Sequence, residues 1–510
     1  MAWQQIAGAQ RLLEKEQGTI HKEWGGRLPI ALVFPNRYHL GMSDLAVHLL
    51  YRLWNARDDV VCERVFTDFH PPLSLESGAP LDYFPVLAFS IAYEMDYFHV
   101  VALLRAAGIP PRATGRDERH PLLIAGGPAL SANPEPLAPL LDAILIGEVE
   151  PVFERLTDAL HRIADSRDAA LTALSHIPGL YLPNLQHPIP TISRQWLADL
   201  DSSPTCSAIL TPHTEFAGMG LIEIARGCGR GCRFCLAGYS YLPPRQRSVE
   251  RIMAQARELL AHTDRLGLVS AAVSDHAEID RLVVELRRLG ARLSVSSVRA
   301  DSVSERLIRA LAESGTRTLT IAPEAGSERL RQVIHKTQSE AEVLRAVELA
   351  ARHGLEQVKL YFMLGLPTEE EEDVQAMVDL VLACARRFPR QLTVNITPFV
   401  PKAHTPFQRL AQTPAQIIRN RLEEVEKELR PRGIAVKGES PAWAEVQGTL
   451  ARGDRQLAEA LLAVERPTPA AWRKALAQVG LSADELLAGR EAGTPLPWNF
   501  IKGSQPQAAR

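Results

Sequence analysis

Short apolar segments alternate with helical patterns along the first third of the chain. The segment at 28–36, LPIALVFPN, is continuously apolar, which is typical of a strand buried on both faces of a parallel sheet. Four more segments of this kind follow, separated by helical patterns: DVVCERVF, FPVLAFSIAYE, PLLIAGGPA and DAILIGEVE. This alternation predicts an α/β domain over residues 1–165, a doubly wound parallel sheet of the Rossmann type, which begins with a charged helix up to about residue 25.

A second alternating series follows a connector, residues 166–215, that contains six prolines. Its strand segments are GLIEIA, LGLVSAAV, RLSVSSV, TRTLTIA, EQVKLYFML and QLTVNIT. Two of the intervening helices are predicted to begin with capping boxes, S-E-A-E from Ser339 and T-E-E-E from Thr368. Six strand-helix units over 216–408 predict a partial (β/α)6 barrel of the TIM type. A small, mostly helical C-terminal region is predicted over 409–510.

The composition is that of a globular protein with several domains. Of 510 residues, 46% are hydrophobic and 23% charged, and the formal net charge of −3 argues against a generally basic nucleic-acid-binding protein. No run of 18 apolar residues suggests a membrane span, and the first residues lack the basic and apolar regions of a signal peptide. A cytoplasmic location without a membrane partner is therefore expected.

Three of the six cysteines lie within eight residues, in a glycine-rich loop directly after the first predicted barrel strand. These are Cys228, Cys232 and Cys235. A structural zinc site needs four ligands, and no second pair of ligands lies near, so zinc is disfavoured. A cubane [4Fe-4S] cluster fits better, because three thiolates would leave one iron open for a further ligand. The remaining cysteines have apolar neighbours and are predicted to be buried structural thiols: Cys62, Cys206 and Cys384.

The C-x3-C-x2-C spacing, with Phe234 before the last cysteine, resembles the radical S-adenosylmethionine (SAM) superfamily. The resemblance implies that the three thiolates bind a [4Fe-4S] cluster and that SAM chelates the open iron. One electron from the cluster then cleaves SAM to a 5′-deoxyadenosyl radical, which abstracts hydrogen from a substrate. It also implies an electron donor of the flavodoxin or ferredoxin type.

Three downstream segments resemble cofactor-facing strands of the same superfamily: SVSSVRAD, LTIAPEAGSERLRQVIHK and LYFMLGLPTE. The resemblance implies that an acidic residue, here Glu324, meets the amino acid end of SAM. Ser296 and Arg299 are candidates for its ribose and carboxylate, and Phe234 and Gly365 complete the candidate SAM site. Surface positions for Ser296 and Arg299, and a helix-start carboxylate for Glu324, are the alternatives.

The front domain resembles the cobalamin-binding domain that is fused to many radical SAM enzymes. AGGPALSANPEP and LDAILIGEVE are similar to its fourth and fifth strands, whose glycine loops approach the corrin ring. The D-x-H-x-x-G motif of the histidine-on type is replaced here by N-R-Y-H-L-G, with tyrosine in the place of the histidine and His39 beside it. The resemblance implies cobalamin contacts from Asn36, Tyr38, Gly41, Ser43, Ser90, Gly126, Gly127, Pro128, Gly147 and Glu148. A sheet that only docks substrate or barrel is the alternative.

IPGLYLP, CRFCLAGYSYLPPRQRS, TLARGDRQL and LPWNFI extend the resemblance over residues 28–503 to a bacterial subfamily of cobalamin-domain radical SAM proteins of uncharacterised role. The function expected from the SAM and cobalamin resemblances together is cobalamin-dependent methyl transfer to an unactivated carbon. Radical chemistry without methyl transfer, such as rearrangement, sulfur insertion or RNA modification, and a non-catalytic iron-sulfur protein are the alternatives. Six arginines and one acid lie between residues 226 and 251. This patch is predicted to neutralise cluster and cofactor, rather than to bind nucleic acid, and the substrate is expected to contact Arg245, Arg247 and the chain near Pro398.

Overall fold

The computed structural model describes residues 2–185 and 188–503. The described residues exclude residue 1, residues 186 and 187, and residues 504–510. Small parts of the predicted front domain, connector and C-terminal region therefore lie outside them.

The front domain is built on a six-stranded sheet. Its strands are β1 (Leu28–Val33), β2 (Val60–Val65), β3 (Val86–Ser90), β4 (Leu122–Gly126), β5 (Ala143–Leu145) and β6 (Leu180–Tyr181). They lie in the order β2-β1-β3-β4-β5-β6, and all neighbours are parallel except β5 and β6. The predicted parallel α/β organisation is confirmed. In such a sheet the order reverses between β1 and β3, and ligands bind at the carboxyl ends of the strands near this point.

Helices cover both faces of this sheet. They are α1 (Ala2–Leu13), α2 (Tyr38–Gly41), α3 (Leu45–Ala56), α4 (Tyr97–Ala106), α5 (Pro128–Ala132), α6 (Phe153–His161) and α7 (Arg167–Ser175). The α3, α6 and α7 helices pack on one face, and α4 and α5 on the other. The predicted connector therefore contributes α7 and β6 to the front domain.

The first helix is shorter than predicted, because it ends at Leu13 and not near residue 25. The chain then pairs with the segment before the barrel through two backbone hydrogen bonds of 2.9 Å between Gln17 and Leu210. At Gly18, φ is +100° and a Cβ would lie 2.4 Å from the carbonyl oxygen of Ala208. This close approach to the Ala208 carbonyl requires glycine at position 18.

The remaining strands are β7 (Ile192–Ser193), β8 (Gly220–Glu223), β9 (Ala225–Arg226), β10 (Arg245–Gln246), β11 (Arg265–Val269), β12 (Arg292–Val295), β13 (Thr318–Glu324), β14 (Gln357–Leu364), β15 (Gln391–Pro398), β16 (Ala435–Gly438) and β17 (Ile501–Lys502). The remaining helices are α8 (Ala237–Ser240), α9 (Val249–Leu260), α10 (Ile279–Arg288), α11 (Glu305–Glu313), α12 (Glu328–Val333), α13 (Glu340–Arg352), α14 (Glu371–Arg387), α15 (Ala415–Leu429), α16 (Pro441–Arg452), α17 (Leu457–Ala463), α18 (Pro469–Gln478) and α19 (Ala483–Leu487).

Parallel strands in chain order form the second domain. One sheet contains β8, β11 and β12, and a second contains β13 to β16; a parallel bridge between Val298 and Ile321 joins them. The β16 strand, which pairs with β15, comes from the region predicted as mostly helical. The strand array thus has one more member than the predicted six, and β9 and β10 form a short antiparallel pair beside it.

Only one of the two predicted capping boxes is present at the predicted residues. Ser339 accepts a hydrogen bond from the Glu342 backbone N–H, and α13 begins there. At the second, the box is formed instead by Glu370 and Asp373, so the prediction at Thr368 was wrong. Thr368 has φ of +61°, whereas an N-cap residue needs an extended backbone.

The C-terminal region closes back on the front domain. The α17 helix packs against α4, and the Trp472 ring lies edge-on to Phe98 with centroids 5.3 Å apart. The β17 strand pairs with β7 of the predicted connector. Within the described residues, no helix combines the length and apolar character needed to cross a membrane.

Candidate functional site

The three clustered cysteines lie in the loop between β9 and α8. Cys232 is buried, and Cys228 and Cys235 are half-buried; none is in a disulfide. At Gly227, φ is +80° and a Cβ would lie 2.2 Å from the carbonyl oxygen of Tyr241, so the loop needs glycine to turn here. The predicted burial of the other three cysteines is confirmed.

Positive charge and backbone amides surround the sulfur atoms. The Arg299 guanidinium lies 3.9 Å from the Cys232 sulfur. Burial raises the pKa of the Cys232 thiol, and the charges of Lys336 and Arg299 partly offset this rise. Burial likewise raises the pKa of Cys235, and the backbone N–H groups at the start of α8 partly offset this rise. Metal binding must therefore displace thiol protons, and the site is built to hold anionic sulfur.

These residues fit a [4Fe-4S] cluster. Among the described residues, no three His, Cys, Asp or Glu side chains converge as a single metal ion requires. The thiolates of a cubane cluster bind different irons, so they need not meet at one point. Three thiols in a glycine-rich loop, with cations and amides beside them, are suited to such a cluster.

Glu324, the carboxylate that is predicted to contact SAM, lies next to the cysteine loop. Glu324 ends β13 with φ of +69°, an uncommon conformation for a residue other than glycine. Its Oε1 lies 3.0 Å from the ammonium of Lys336. Phe234 packs against an apolar cluster to which Ala325, the residue after Glu324, also belongs. A strained backbone held in place by an ion pair is typical of functional positions.

A cavity of about 750 Å³ lies between the two domains. It is bounded by the carboxyl ends of strands from the front-domain sheet and from the sheet of β8, β11 and β12. The α5 helix of the front domain packs against α8, which follows the cysteine loop. From the barrel side, Gly227, Tyr241 and the predicted SAM residue Ser296 line it. From the front domain, eight of the ten predicted cobalamin positions line it: Asn36, Ser43, Ser90, Gly126, Gly127, Pro128, Gly147 and Glu148.

Comparison with known proteins identifies the family. Residues 222–381 match the model of the radical SAM superfamily, and residues 46–183 match that of the N-terminal region of radical SAM proteins. An uncharacterised protein of Methanocaldococcus jannaschii is 31% identical over 445 residues, which are 86% of this chain and 92% of that protein. The chain belongs to the radical SAM superfamily.

Two further likenesses are more distant. An uncharacterised methyltransferase of Pyrococcus horikoshii is 24% identical over 306 residues, 56% of this chain and 62% of that protein. The solved structure of TsrM from Kitasatospora setae, a radical SAM methyltransferase with cobalamin and a [4Fe-4S] cluster bound, has a TM-score of 0.54 at 15% identity. The match covers 76% of each chain. At this identity it shows a shared fold.

One predicted SAM residue of this radical SAM protein occupies a closed turn. Gly365 has φ of +82°, and its N–H donates to the Glu369 carboxylate at 3.0 Å. A Cβ there would lie 2.9 Å from the side chain of Ile418. Gly365 does not line the shared cavity in the described residues, and its contact with SAM stays a prediction.

Two predicted cobalamin positions face away from the cavity. Tyr38 is buried, and its hydroxyl donates to Glu16 at 2.6 Å within an ion pair with Arg64. At Gly41, a Cβ would lie 2.3 Å from the Phe66 ring, so packing requires glycine. Tyr38, which takes the place of the histidine in the motif, is therefore part of the protein core. His39 also points elsewhere, because it pairs with Glu215 at 2.6 Å.

Sequence reasoning missed an apolar slot at the inner end of the cavity. The slot passes between the sheet and the α3 and α6 helices and is lined by Trp54, Ala88, Leu145 and Leu156. Each of these residues follows the pattern of an ordinary core position. Nothing in the sequence distinguishes a core position that is filled from one that borders a cavity.

Four of the six arginines of the patch are paired with acidic side chains of the chain itself. Arg226 lies between Glu148, Glu150 and Glu223 at 2.8–2.9 Å, and Arg245 pairs with Glu148 at 2.7 Å. Two more of these arginines pair with acids: Arg247 with Glu223, and Arg230 with Asp275.

The prediction that Arg245 and Arg247 contact the substrate was wrong, because both side chains are buried in these pairs. Neither they nor Pro398 line the shared cavity in the described residues. Arg226 and Arg245 join the two domains through Glu148, whereas neutralisation of cluster and cofactor by the patch stays a prediction.

Proposed function

We propose that this radical SAM protein binds cobalamin in the shared cavity and transfers a methyl group to an unactivated carbon. The observation that carries the proposal is the course of the cavity. Its walls include residues that flank the cysteine loop, the glycine loops after β4 and β5, and the apolar slot between the front sheet and α3. A cavity that reaches both domains gives two cofactors access to one substrate.

The slot supports cobalamin in particular. Its walls combine the Trp54 ring with aliphatic side chains, which suits a flat heterocycle such as the nucleotide base of cobalamin. Gly127, which lines the cavity, has φ of +117°, and a Cβ there would lie 2.3 Å from the Ile91 carbonyl oxygen, so the turn requires glycine. No histidine lines the cavity in the described residues, so we expect cobalamin to bind without a protein histidine below the cobalt.

Each part of the chain has its own task in this proposal. Cys228, Cys232 and Cys235 would bind three irons, and Glu324 would accept a hydrogen bond from the amino group of SAM. When bound, the cluster supplies the electron that cleaves SAM, and cobalamin supplies a transferable methyl group. The apolar walls exclude water from the cavity and so protect reactive species from solvent.

Two carboxyl groups, those of Asp44 and Asp96, line the front-domain side of the cavity. Asp44 accepts from the Ala46 N–H at 2.8 Å and Asp96 from the Asn36 amide at 2.7 Å. Burial raises the pKa of Asp44, and the Asp96 carboxylate contributes to the rise. The raised pKa favours the uncharged form of Asp44 and so limits the negative charge at this wall of the cavity.

The distant likenesses agree with methyl transfer. The Pyrococcus relative is named a methyltransferase, and TsrM is a radical SAM methyltransferase solved with cobalamin bound. Their reactions lend support only to the class of chemistry, because both identities are low.

A larger side chain in the slot tests the proposal. Ala88 lies on β3 and is 4% exposed, so Ala88→Leu would place additional atoms where the heterocycle is expected. We expect cobalamin affinity to fall by about 100-fold, which corresponds to about 2.7 kcal/mol of binding free energy. The measurement is a titration of anaerobically purified protein, followed by the ultraviolet-visible spectrum of the corrin.

The control for this experiment is Leu145→Met, which nearly conserves side-chain volume in the same slot and should leave cobalamin affinity almost unchanged. Iron content should be the same in both variants and in the wild type. A wild-type protein that retains no corrin would refute the methyl-transfer proposal and favour radical chemistry without methyl transfer.

A further inference from the structure

The segment between α12 and α13 contacts the cysteine loop along several residues. The Arg233 N–H donates to the Ile334 carbonyl at 2.9 Å. The next residue, His335, has φ of +55°, and its Nδ1 lies 3.1 Å from the carbonyl oxygens of Arg230 and Gly231. These contacts fix the position of the residue that follows, Lys336, relative to the cysteines.

Lys336 is a buried cation between two parts of the site. It is 6% exposed, and its ammonium lies 3.0 Å from Oε1 of Glu324. The contacts of Ile334 and His335 with the cysteine loop hold this ammonium beside the loop. Arg299, the other cation at Cys232, is paired with Asp301 at 2.9 Å. Among the described residues, the one carboxylate paired with Lys336 is Glu324, which is predicted to meet SAM.

We propose that Lys336 is a positioning residue that sets the reduction potential of the cluster bound at Cys232 and holds Glu324 in its left-handed conformation. Reduction adds one negative charge to the cluster. A buried ammonium near the cluster stabilises this charge more strongly than a solvent-exposed ammonium at the same distance would. Glu324 partly neutralises this effect because it carries the opposite charge. The two residues should thus act on the potential in opposite directions.

The test is an anaerobic redox titration of the reconstituted protein in the absence of SAM, followed by electron paramagnetic resonance of the reduced cluster. In Lys336→Gln, we expect the ratio of reduced to oxidised cluster at a fixed applied potential to fall about tenfold. This corresponds to a shift of about 59 mV to lower potential for a one-electron couple.

In Glu324→Gln the reduction potential should shift to higher values, since an unneutralised ammonium remains near Cys232. The double variant removes both charges and should return close to the wild-type potential. These opposite shifts distinguish an electrostatic role from a structural one, because a loosened loop would not move the potential in opposite directions. Lys336→Arg keeps the charge and should keep the potential.

The matched control is Arg329→Gln, which removes one positive charge from α12 at an exposed position where Arg329 pairs with Asp373. It should not shift the potential. Unchanged potentials in both Lys336→Gln and Glu324→Gln would overturn the proposal, as would shifts of the same sign. If Lys336→Gln fails to take up iron, the upward shift in Glu324→Gln alone decides the matter. None of these measurements requires cobalamin.

Discussion

Alanine in place of Cys228, Cys232 or Cys235 should abolish both iron binding and reductive cleavage of SAM. With only two thiolates the loop cannot hold a cubane cluster, and without the cluster there is no electron for cleavage. We expect about four irons per chain in the reconstituted wild type and loss of at least 90% of this iron in each variant. Iron analysis and chromatographic detection of 5′-deoxyadenosine measure the two effects.

Cys384→Ala is the matched control, because Cys384 is buried in the barrel core and burial raises the pKa of its thiol to about 12. It should change neither iron content nor SAM cleavage. Full cleavage activity in any of the three loop variants would refute the cluster assignment, and so would stoichiometric zinc in place of iron.

Glu148→Gln should lower the free energy of unfolding by about 3 kcal/mol, since it removes one partner of a buried ion pair. Glu148 is the one carboxylate that pairs with Arg245 among the described residues, and the two side chains are 5% and 7% exposed. Glutamine conserves the volume but leaves the guanidinium charge uncompensated away from water. Urea denaturation followed by tryptophan fluorescence measures the change.

Glu154→Gln is the control for this variant. Glu154 pairs with Arg57, but its side chain is 72% exposed, so its loss should cost less than about 1 kcal/mol. Replacing both residues, Glu148→Gln with Arg245→Met, should recover part of the stability because no unpaired charge remains. A Glu148→Gln variant as stable as the wild type would show that the ion pair does not hold the domains together.

The sequence was a sufficient basis for most of the strands and helices and for the cysteine loop. Continuous apolar segments predicted all five parallel strands of the front sheet, and the spacing of Cys228, Cys232 and Cys235 indicated a cluster. The loops at Gly126 and Gly147 also lie where predicted, at the carboxyl ends of β4 and β5. These features depend on neighbouring residues, because strand and helix periods and ligand spacing are local properties of the chain.

Only the tertiary structure decided which side chains meet. Arg226 and Arg245 seemed free in the sequence, yet their partner Glu148 comes from the other domain, 78 and 97 residues away along the chain. Tyr38 occupies a motif position but packs into the core beside Glu16, and Trp54 has a core pattern but borders a cavity. Periodicity specifies which face of an element is apolar, whereas pairing and empty space depend on how distant elements pack together.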